Sequence, residues 1–414
     1  MKKIFYGWWI VFAAFLINVY VAGAIFFGFT AFFEPIVKEF GWSYTEVSLA
    51  ISLRGLEMGF LAPIIGFLVG RVGSKRLIFW GVITIAGGLI LLSFTKSLLM
   101  FYAAFLLVAF GSGGCTAVVL MNVVATWFDK NVGKALGIMT SGVGLSGLMI
   151  PLVVWLIDSF SWRTALVILG IGMLIVGIPL SMIIRNKPED MGDVPDGSVL
   201  TGGSITVEIN DGVSSMSFRG ALRSKAFLFL AFGEMIRMMA TTAVLTHIMP
   251  SLSLAHIPRS TAGFIASAIP LLSIAGRFGV GWLADILDKR YAMAVGLSFL
   301  SAGLLTYYFL QWNWTIYLFL FLFSIGFGST VVVRGAMLSQ YFPRNQFGKL
   351  LGLVMGAGAV GGIIGPTLAG WVFDKLGYYG PVWLVFFLCT ALTIILMLKI
   401  EPVEAYHNHK NRLD

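Results

Sequence analysis

The sequence predicts an all-α membrane protein in which twelve transmembrane helices form two six-helix bundles. Three observations support this prediction. Hydrophobic residues make up 58% of the 414 residues and charged residues only 11%, whereas soluble domains have about 45 to 50% and about 25%. Twelve apolar runs are each long enough to cross a bilayer, which takes about 20 helical residues. One long polar stretch divides these runs into six and six.

The polar stretch and the apolar runs define the predicted domains. A cytoplasmic linker, residues 185–225, is rich in Gly, Ser, Asp and Glu. It separates a first bundle, residues 1–184, from a second bundle, residues 226–400, and residues 401–414 form a cytoplasmic tail. In chain order, the predicted spans are residues 8–33, 44–69, 76–95, 99–127, 134–157, 164–184, 226–249, 261–283, 291–311, 314–341, 350–373 and 380–399.

The basic residues orient the chain in the membrane. With the N-terminus inside, nineteen of the 28 Lys and Arg lie in cytoplasmic tails and loops, five lie outside and four lie within spans. By the positive-inside rule, we expect a multi-pass protein of the inner (cytoplasmic) membrane with both termini in the cytoplasm. The charge of +9 therefore leaves no basic face for nucleic acid. A signal peptide over residues 1–24 is the alternative to a first span, but the apolar run continues to Phe33.

Two sequence patterns occur once in each half. GFLVGRVGSKR at residues 66–76 follows the second span, and GWLADILDKR at residues 281–290 follows the eighth. An aromatic residue and Phe, followed by Gly and Lys, occur at residues 127–134 after the fourth span and at residues 341–349 after the tenth. The chain is therefore predicted to be a tandem duplication of two bundles.

The duplicated plan and the G-x-x-x-D-x-x-G-[RK]-[RK] type loop resemble the major facilitator superfamily of secondary transporters over essentially the whole chain. Gly70 stands where the family usually has Asp, whereas the second copy keeps Asp285. The resemblance implies a substrate site near the bilayer midplane that is exposed alternately by rocking. It also implies gating contacts at the loops, for which Arg71 and Asp285 are candidates. Arg334 is a third gating candidate, because it can reach the cytoplasmic interface or Asp285.

Two stretches resemble the monocarboxylate transporter family more specifically. YGWW at residues 6–9 opens the first span, and WFDKNVGKALG at residues 127–137 leads into the fifth. The second stretch matches the aromatic-Phe-x-Lys-x-x-x-x-Ala-x-Gly signature of that family, although Asn131 and Val132 stand where two arginines are usual. The resemblance implies carboxylate transport, with an arginine of the eighth span as the substrate anchor.

Charged residues inside the spans are the candidates for function, since an ionised group there is costly unless it is paired, hydrated or used. The six residues are Arg54, Glu57, Glu234, Arg237, Arg277 and Arg334. The first four form two i, i+3 pairs, which are neighbours on a helix surface. We expect these four to be intramembrane ion pairs or proton-coupling groups. The last two arginines are left without a spare intramembrane acid.

Arg277 is the predicted substrate anchor. It lies eight residues, or about 12 Å of helix, before Asp285 at the cytoplasmic end. A guanidinium matches a carboxylate with two parallel hydrogen bonds, so a carboxylate substrate would supply the missing anion. The alternative is an arginine satisfied by backbone carbonyls or by an intramembrane glutamate. Ser273, which stands where animal members of the resembled family carry an aspartate, and Asn122 are further candidate substrate contacts. Asn122 can instead form a helix-to-helix hydrogen bond.

Proton coupling has several candidate carriers. Glu57 and Glu234 are the intramembrane carboxyls that can carry a proton, but each can instead be a structural partner of its arginine, or the proton can travel on the substrate acid. Phe27 stands where animal members carry a lysine, so their relay cannot be transferred.

Related oxalate and formate exchangers have a second cation where Gly358 stands here, and one strong cation favours a monoanion. His247 is expected to face water near an outer helix end.

These residues predict a proton-coupled transporter of small monocarboxylates, such as lactate or pyruvate. An organic-anion exchanger and an exporter of drugs or organic acids are alternatives with the same fold. An intramembrane enzyme is a remote alternative, because the sequence has no H-E-x-x-H motif and no pair of deep aspartates. We expect no cofactor and no metal, since the two cysteines lie in different apolar runs. The expected partners are the substrate, a proton and the lipid bilayer, and the chain is expected to work as a monomer.

Overall fold

The computed structural model of the chain describes residues 5–53, 65, 68–69, 71–115, 117–128, 131–192, 194, 218–309, 313–342 and 344–401. These residues are almost entirely helical, which confirms the predicted fold class. The helices of the first half are α1 Gly7–Val21, α2 Thr30–Phe40, α3 Tyr44–Ser52, α4 Ser74–Ser93, α5 Leu98–Gly114, α6 Ala117–Trp127, α7 Val132–Leu145, α8 Met149–Ser159 and α9 Trp162–Ile183. The helices of the second half are α10 Phe218–Arg223, α11 Lys225–Leu254, α12 Arg259–Ile286, α13 Lys289–Tyr308, α14 Asn313–Tyr341, α15 Arg344–Leu376 and α16 Gly380–Leu398.

Eleven helical runs within the described residues are long and apolar enough to cross a membrane. Each overlaps one of the predicted spans. The predicted span over residues 44–69 lies largely outside the described residues, which include its first helical segment, α3.

The first span is longer and less regular than predicted. A π-helix, Ala22–Phe27, and a turn separate α1 from α2, and the Gly28 N–H donates to the Gly23 carbonyl at 2.8 Å. The helix ends at Gly41, whose φ of 67° lies in the left-handed region that glycine adopts readily. The predicted end at Phe33 was therefore too early, because the polar residues after it continue the helix for two further turns.

The backbone contacts divide the chain into two compact units. The first unit contains Met1–Ser204 and Ile248–Ser267, and the second contains Ile205–His247 and Ala268–Asp414. The end of α11 and the beginning of α12 therefore belong to the first unit. The remaining parts of α11 and α12 lie in the second unit with α13 to α16.

Glycines of α15 allow close packing against α11 in the second unit. A Cβ added at Gly361 or Gly365 would collide with the backbone carbonyls of Met235 and Met239, respectively. Gly361 and Gly365 are four residues apart, which is the spacing of small residues at closely packed transmembrane helices. By contrast, a Cβ at Gly356 would have no neighbour within 4 Å among the residues that the structure describes.

Gly361→Ala is expected to lower the free energy of unfolding by about 1 to 3 kcal/mol, because a methyl group would force α15 away from the backbone of α11. Gly356→Ala, on the same helix, is expected to leave stability unchanged or to raise it by up to about 1 kcal/mol, since alanine has the higher helix propensity. Thermal unfolding of the purified variants in detergent measures both effects. Equal melting temperatures for the two variants would contradict the close packing.

Candidate functional site

A buried ion-pair triad occupies the interior of the second unit. Arg237 donates from Nε to Glu234 Oε2 at 2.8 Å and from Nη2 to Glu234 Oε1 at 2.6 Å. Arg334 of α14 donates from Nη1 to the same Oε1. Glu234 and Arg237 are 5% and 4% exposed, respectively. The pair that the i, i+3 spacing predicts is therefore present, and a third charged residue joins it.

The triad changes the charge balance expected from the sequence. Arg334 was expected to be left without an intramembrane acid, and it instead bonds to Glu234. The three side chains hold two positive charges and one negative charge. Two of their nitrogens, Arg237 Nη1 and Arg334 Nε, are buried and have no hydrogen-bond partner within the described part of the chain. The triad therefore keeps one positive charge in excess and still has hydrogen-bond donors available.

Glycine at position 358 leaves room for the triad. A Cβ added at Gly358 would lie 3.0 Å from Glu234 Cγ and 3.3 Å from Oε1. A larger side chain at this position would therefore displace the carboxylate from its two arginines. Position 358, where related exchangers were expected to carry a second cation, lies directly against the triad.

Arg277 of α12 has no acidic partner among the described residues. Its side chain is partly exposed, and its Nε is buried without a hydrogen bond. It lies nine residues before the end of α12 at Ile286, or about 14 Å along the helix axis. This position matches the sequence prediction of a guanidinium well inside the span whose charge no described carboxylate balances.

The position of Arg277 on the helix surface directs it away from the exposed stripe of α12. Phe264, Trp282 and Ile286 are 64%, 66% and 61% exposed, as expected for side chains that face lipid. At 100° per residue, Arg277 lies about 140° from Phe264 and Trp282 and about 180° from Ile286. Phe278, which is 73% exposed, lies about 100° from Arg277. The guanidinium therefore emerges outside the exposed stripe of α12.

The other two predicted substrate contacts already have partners in the protein. Asn122 Nδ2 donates to Ser74 Oγ at 3.3 Å, which is the helix-to-helix hydrogen bond considered as its alternative. Ser273 is fully buried, and its hydroxyl donates to the Pro270 carbonyl at 2.6 Å. Its backbone also lies against Gly328 of α14. Both side chains are thus accounted for without a substrate.

The structure describes four further predicted residues only in part. Arg54 and Glu57 lie outside the described residues. Asp285 belongs to α12, but its side chain is also outside the described set. Arg71 is exposed at the start of the segment before α4. The proton-coupling role of the first two and the gating role of the last two stay predictions.

His247 lies in the interior, so the expectation that it faces water was wrong. The ring is fully buried, with Nε2 at 2.9 Å from the Pro366 carbonyl and Nδ1 at 2.9 Å from the Tyr379 hydroxyl. A carbonyl can only accept, so Nε2 carries the proton, and a neutral ring then accepts from Tyr379 at Nδ1. His247 therefore connects α11 to α15 and to the turn before α16.

Arg259 is a residue whose contacts the sequence reasoning missed, because it was counted only as one of the outer basic residues. In the first unit its Nε lies 2.7 Å from Asp158 Oδ1, and its Nη1 lies 4.0 Å from Glu34 Oε2. Its Nη2 also donates to the Ala31 carbonyl. These contacts join the beginning of α12 to α2 and α8. Their separation in sequence exceeds 100 residues, so no local pattern could predict them.

No group of three His, Cys, Asp or Glu that could hold a metal ion occurs within the described part of the chain.

Comparison with known families identifies one superfamily over nearly the whole chain. The profile of the Major Facilitator Superfamily matches residues 12–253 and 227–413. Monocarboxylate transporter 12-B of Danio rerio is 28% identical, over 99% of this chain and 90% of the relative. Monocarboxylate transporter 13 of Rattus norvegicus is 24% identical, over 92% and 85%. The MFS-type transporter YcxA of Bacillus subtilis is 22% identical, over 92% and 93%.

A solved structure has the same fold. A bacterial homologue of the human lysosomal transporter Spinster, in an inward-facing and unoccupied conformation, matches with a TM-score of 0.69. The match covers 98% of this chain and 97% of that chain, at 16% sequence identity. At this identity the likeness concerns the fold alone.

Proposed function

Because the chain belongs to the major facilitator superfamily, we propose that it is a secondary active transporter of small monocarboxylates, such as lactate or pyruvate, that moves them with protons by alternating access. The relatives named monocarboxylate transporters support the substrate class. The bacterial relative supports a place in the cytoplasmic membrane, and the distribution of Lys and Arg supports cytoplasmic termini. We expect each chain to transport on its own.

The observation that carries this proposal is the unpaired guanidinium of Arg277. Its charge lies deep in α12, away from the exposed stripe, and no described carboxylate balances it. An ionised side chain inside a membrane protein needs a partner or water. A substrate carboxylate supplies that partner and can accept two parallel hydrogen bonds from the planar guanidinium. Substrate binding would thereby neutralise the charge of Arg277.

Glu234 is a poor carrier for the coupling proton in this arrangement. Its two oxygens accept three hydrogen bonds from arginines. A proton on either carboxylate oxygen would place an O–H donor against an arginine N–H group, which is also a donor. We therefore place the coupling proton on the substrate acid or on Glu57, and assign Glu234 and Arg237 to a structural ion pair.

Anion exchange is the second candidate function, and the triad favours it. The triad keeps one positive charge in excess and Arg277 adds another, whereas a monocarboxylate brings a single negative charge. A substrate with two negative charges would balance both. This candidate predicts exchange of organic anions without an obligatory proton.

Uptake of labelled lactate and pyruvate into proteoliposomes separates the two functions. With one proton per substrate, an inward pH gradient of one unit supports about tenfold accumulation, since 1.4 kcal/mol corresponds to a factor of ten. We expect uptake to follow this gradient and to proceed without an anion inside the vesicles. Uptake that ignores the gradient and requires an internal anion would assign the protein to exchange. Protein-free liposomes control for diffusion of the undissociated acids.

A further inference from the structure

A cavity of about 570 Å³ lies in the first unit, where α4 begins and α9 ends. Lys75, Arg76 and Asn186 are its polar lining residues, together with the buried Ser181. Asn186 Oδ1 accepts the backbone N–H of Lys75 at 2.9 Å and so fixes the end of α9 to the start of α4. The cavity therefore has a polar edge whose two sides are joined by a hydrogen bond.

The two cations at this edge have no acidic partner among the described residues. Neither Lys75 nor Arg76 forms an ion pair there, and no acidic residue lines the cavity. A second cavity, of about 460 Å³, lies at the opposite ends of the same two helices, and its two basic lining residues are Lys96 and Arg163. There, Arg163 Nη2 donates to Glu39 Oε1 at 2.7 Å. Within the described residues, one of the two cations at this second cavity is thus paired with a carboxylate, whereas neither cation at the first cavity is.

Apart from Val72, which precedes α4, the apolar lining residues lie deeper along the helices. Phe79 follows Lys75 and Arg76 by about one turn of α4. Met182 lies in the last turn of α9, which ends at Ile183, and Asn186 follows the end of that helix. Met182 is 55% exposed, and the neighbouring Trp80 is 62% exposed. Tryptophan is typical of the membrane interface. The lining therefore changes from cationic to apolar in the direction that leads from the helix ends into the membrane.

We propose that this cavity binds the phosphate headgroup of an anionic phospholipid, with an acyl chain along Phe79 and Met182. Guanidinium and ammonium groups are good partners for phosphate oxygens. Basic pockets between transmembrane helices on the cytoplasmic side bind anionic lipid headgroups, and the positive-inside distribution places the start of α4 on that side. A free phosphate would use the cations but not the apolar wall. This binding does not depend on which substrate the protein transports.

Native mass spectrometry of the full chain in detergent tests the site, with dioleoyl-phosphatidylglycerol as the probe. Lys75→Gln with Arg76→Gln is expected to weaken binding of this lipid about 30-fold, or about 2 kcal/mol, since each cation near an anionic headgroup contributes about 1 kcal/mol. Lys187→Gln, a nearby exposed lysine outside the cavity, is expected to change the affinity less than threefold. The charge-preserving variant Lys75→Arg with Arg76→Lys is expected to bind like the wild type.

Two further probes distinguish the sources of phosphate. Dioleoyl-phosphatidylcholine, which is zwitterionic, is expected to bind at least tenfold more weakly than phosphatidylglycerol. Millimolar glycerol 1-phosphate, which lacks acyl chains, is expected not to displace the lipid. Displacement by glycerol 1-phosphate at concentrations near those of the lipid would assign a free-phosphate site and overturn the proposal. Wild-type affinity in the double glutamine variant, or its loss in the charge-preserving variant, would also overturn it.

Discussion

Arg277→Ala is expected to abolish the saturable uptake of monocarboxylates into proteoliposomes, whereas Arg277→Lys is expected to retain part of it. Truncating one partner of a buried, hydrogen-bonded charge pair costs about 2 to 5 kcal/mol, which is a loss of about 30-fold to several thousandfold in affinity. Lysine keeps the charge but loses the planar fork. Initial rates over a range of substrate concentrations measure the effect.

A control separates this effect from a general loss of function. Arg223 is an exposed arginine on the short helix α10, and Arg223→Ala is expected to transport like the wild type. Equal insertion and orientation of each variant in the vesicles must be shown by protease protection. Wild-type uptake by Arg277→Ala would show that another group binds the carboxylate.

Glu234→Gln is expected to lower the free energy of unfolding by about 3 to 5 kcal/mol, the usual cost of removing one partner of a buried ion pair. The change leaves the guanidinium groups of Arg237 and Arg334 close together without a carboxylate between them. Their repulsion and the burial of two unbalanced charges both disfavour the folded state. Thermal unfolding in detergent measures the loss.

Removing the whole triad tests the same reasoning in the opposite direction. When Glu234, Arg237 and Arg334 are all changed to glutamine, no charge remains at these three positions, and most of the lost stability is expected to return. A different result for Glu234→Gln alone would change the role assigned to Glu234. If Glu234→Gln melts like the wild type and its uptake no longer responds to pH, then Glu234 carries the coupling proton.

Most of the fold followed from the sequence because a transmembrane helix depends on local composition. Eleven predicted spans overlap the apolar helices of the described residues. Helix irregularities were harder to predict. The π-helix Ala22–Phe27 lies within a continuous apolar run, where neither periodicity nor charge indicates a change of hydrogen bonding. Polar residues of α2 that looked like a loop continue the first span, and only Gly41 ends it.

The candidate site was predictable only where its contacts are local. The spacing of Glu234 and Arg237 within one helical turn was sufficient to predict their ion pair. The contact between Arg334 and Glu234 joins residues 100 positions apart, and it depends on how α14 packs beside α11. The burial of His247 likewise depends on the distant Pro366 and Tyr379. Such pairings follow from tertiary packing and leave no pattern in the sequence.

The role of Arg277 is measured without transport by the binding of lactate and its neutral amide, lactamide, to the purified protein. Isothermal titration calorimetry compares the wild type with Arg277→Gln, which keeps a polar side chain but removes the charge. We predict that the wild type binds lactate at least about 30-fold more tightly than lactamide and that the variant binds both equally weakly. An undiminished preference for lactate in Arg277→Gln would contradict the assignment of Arg277 as the carboxylate anchor.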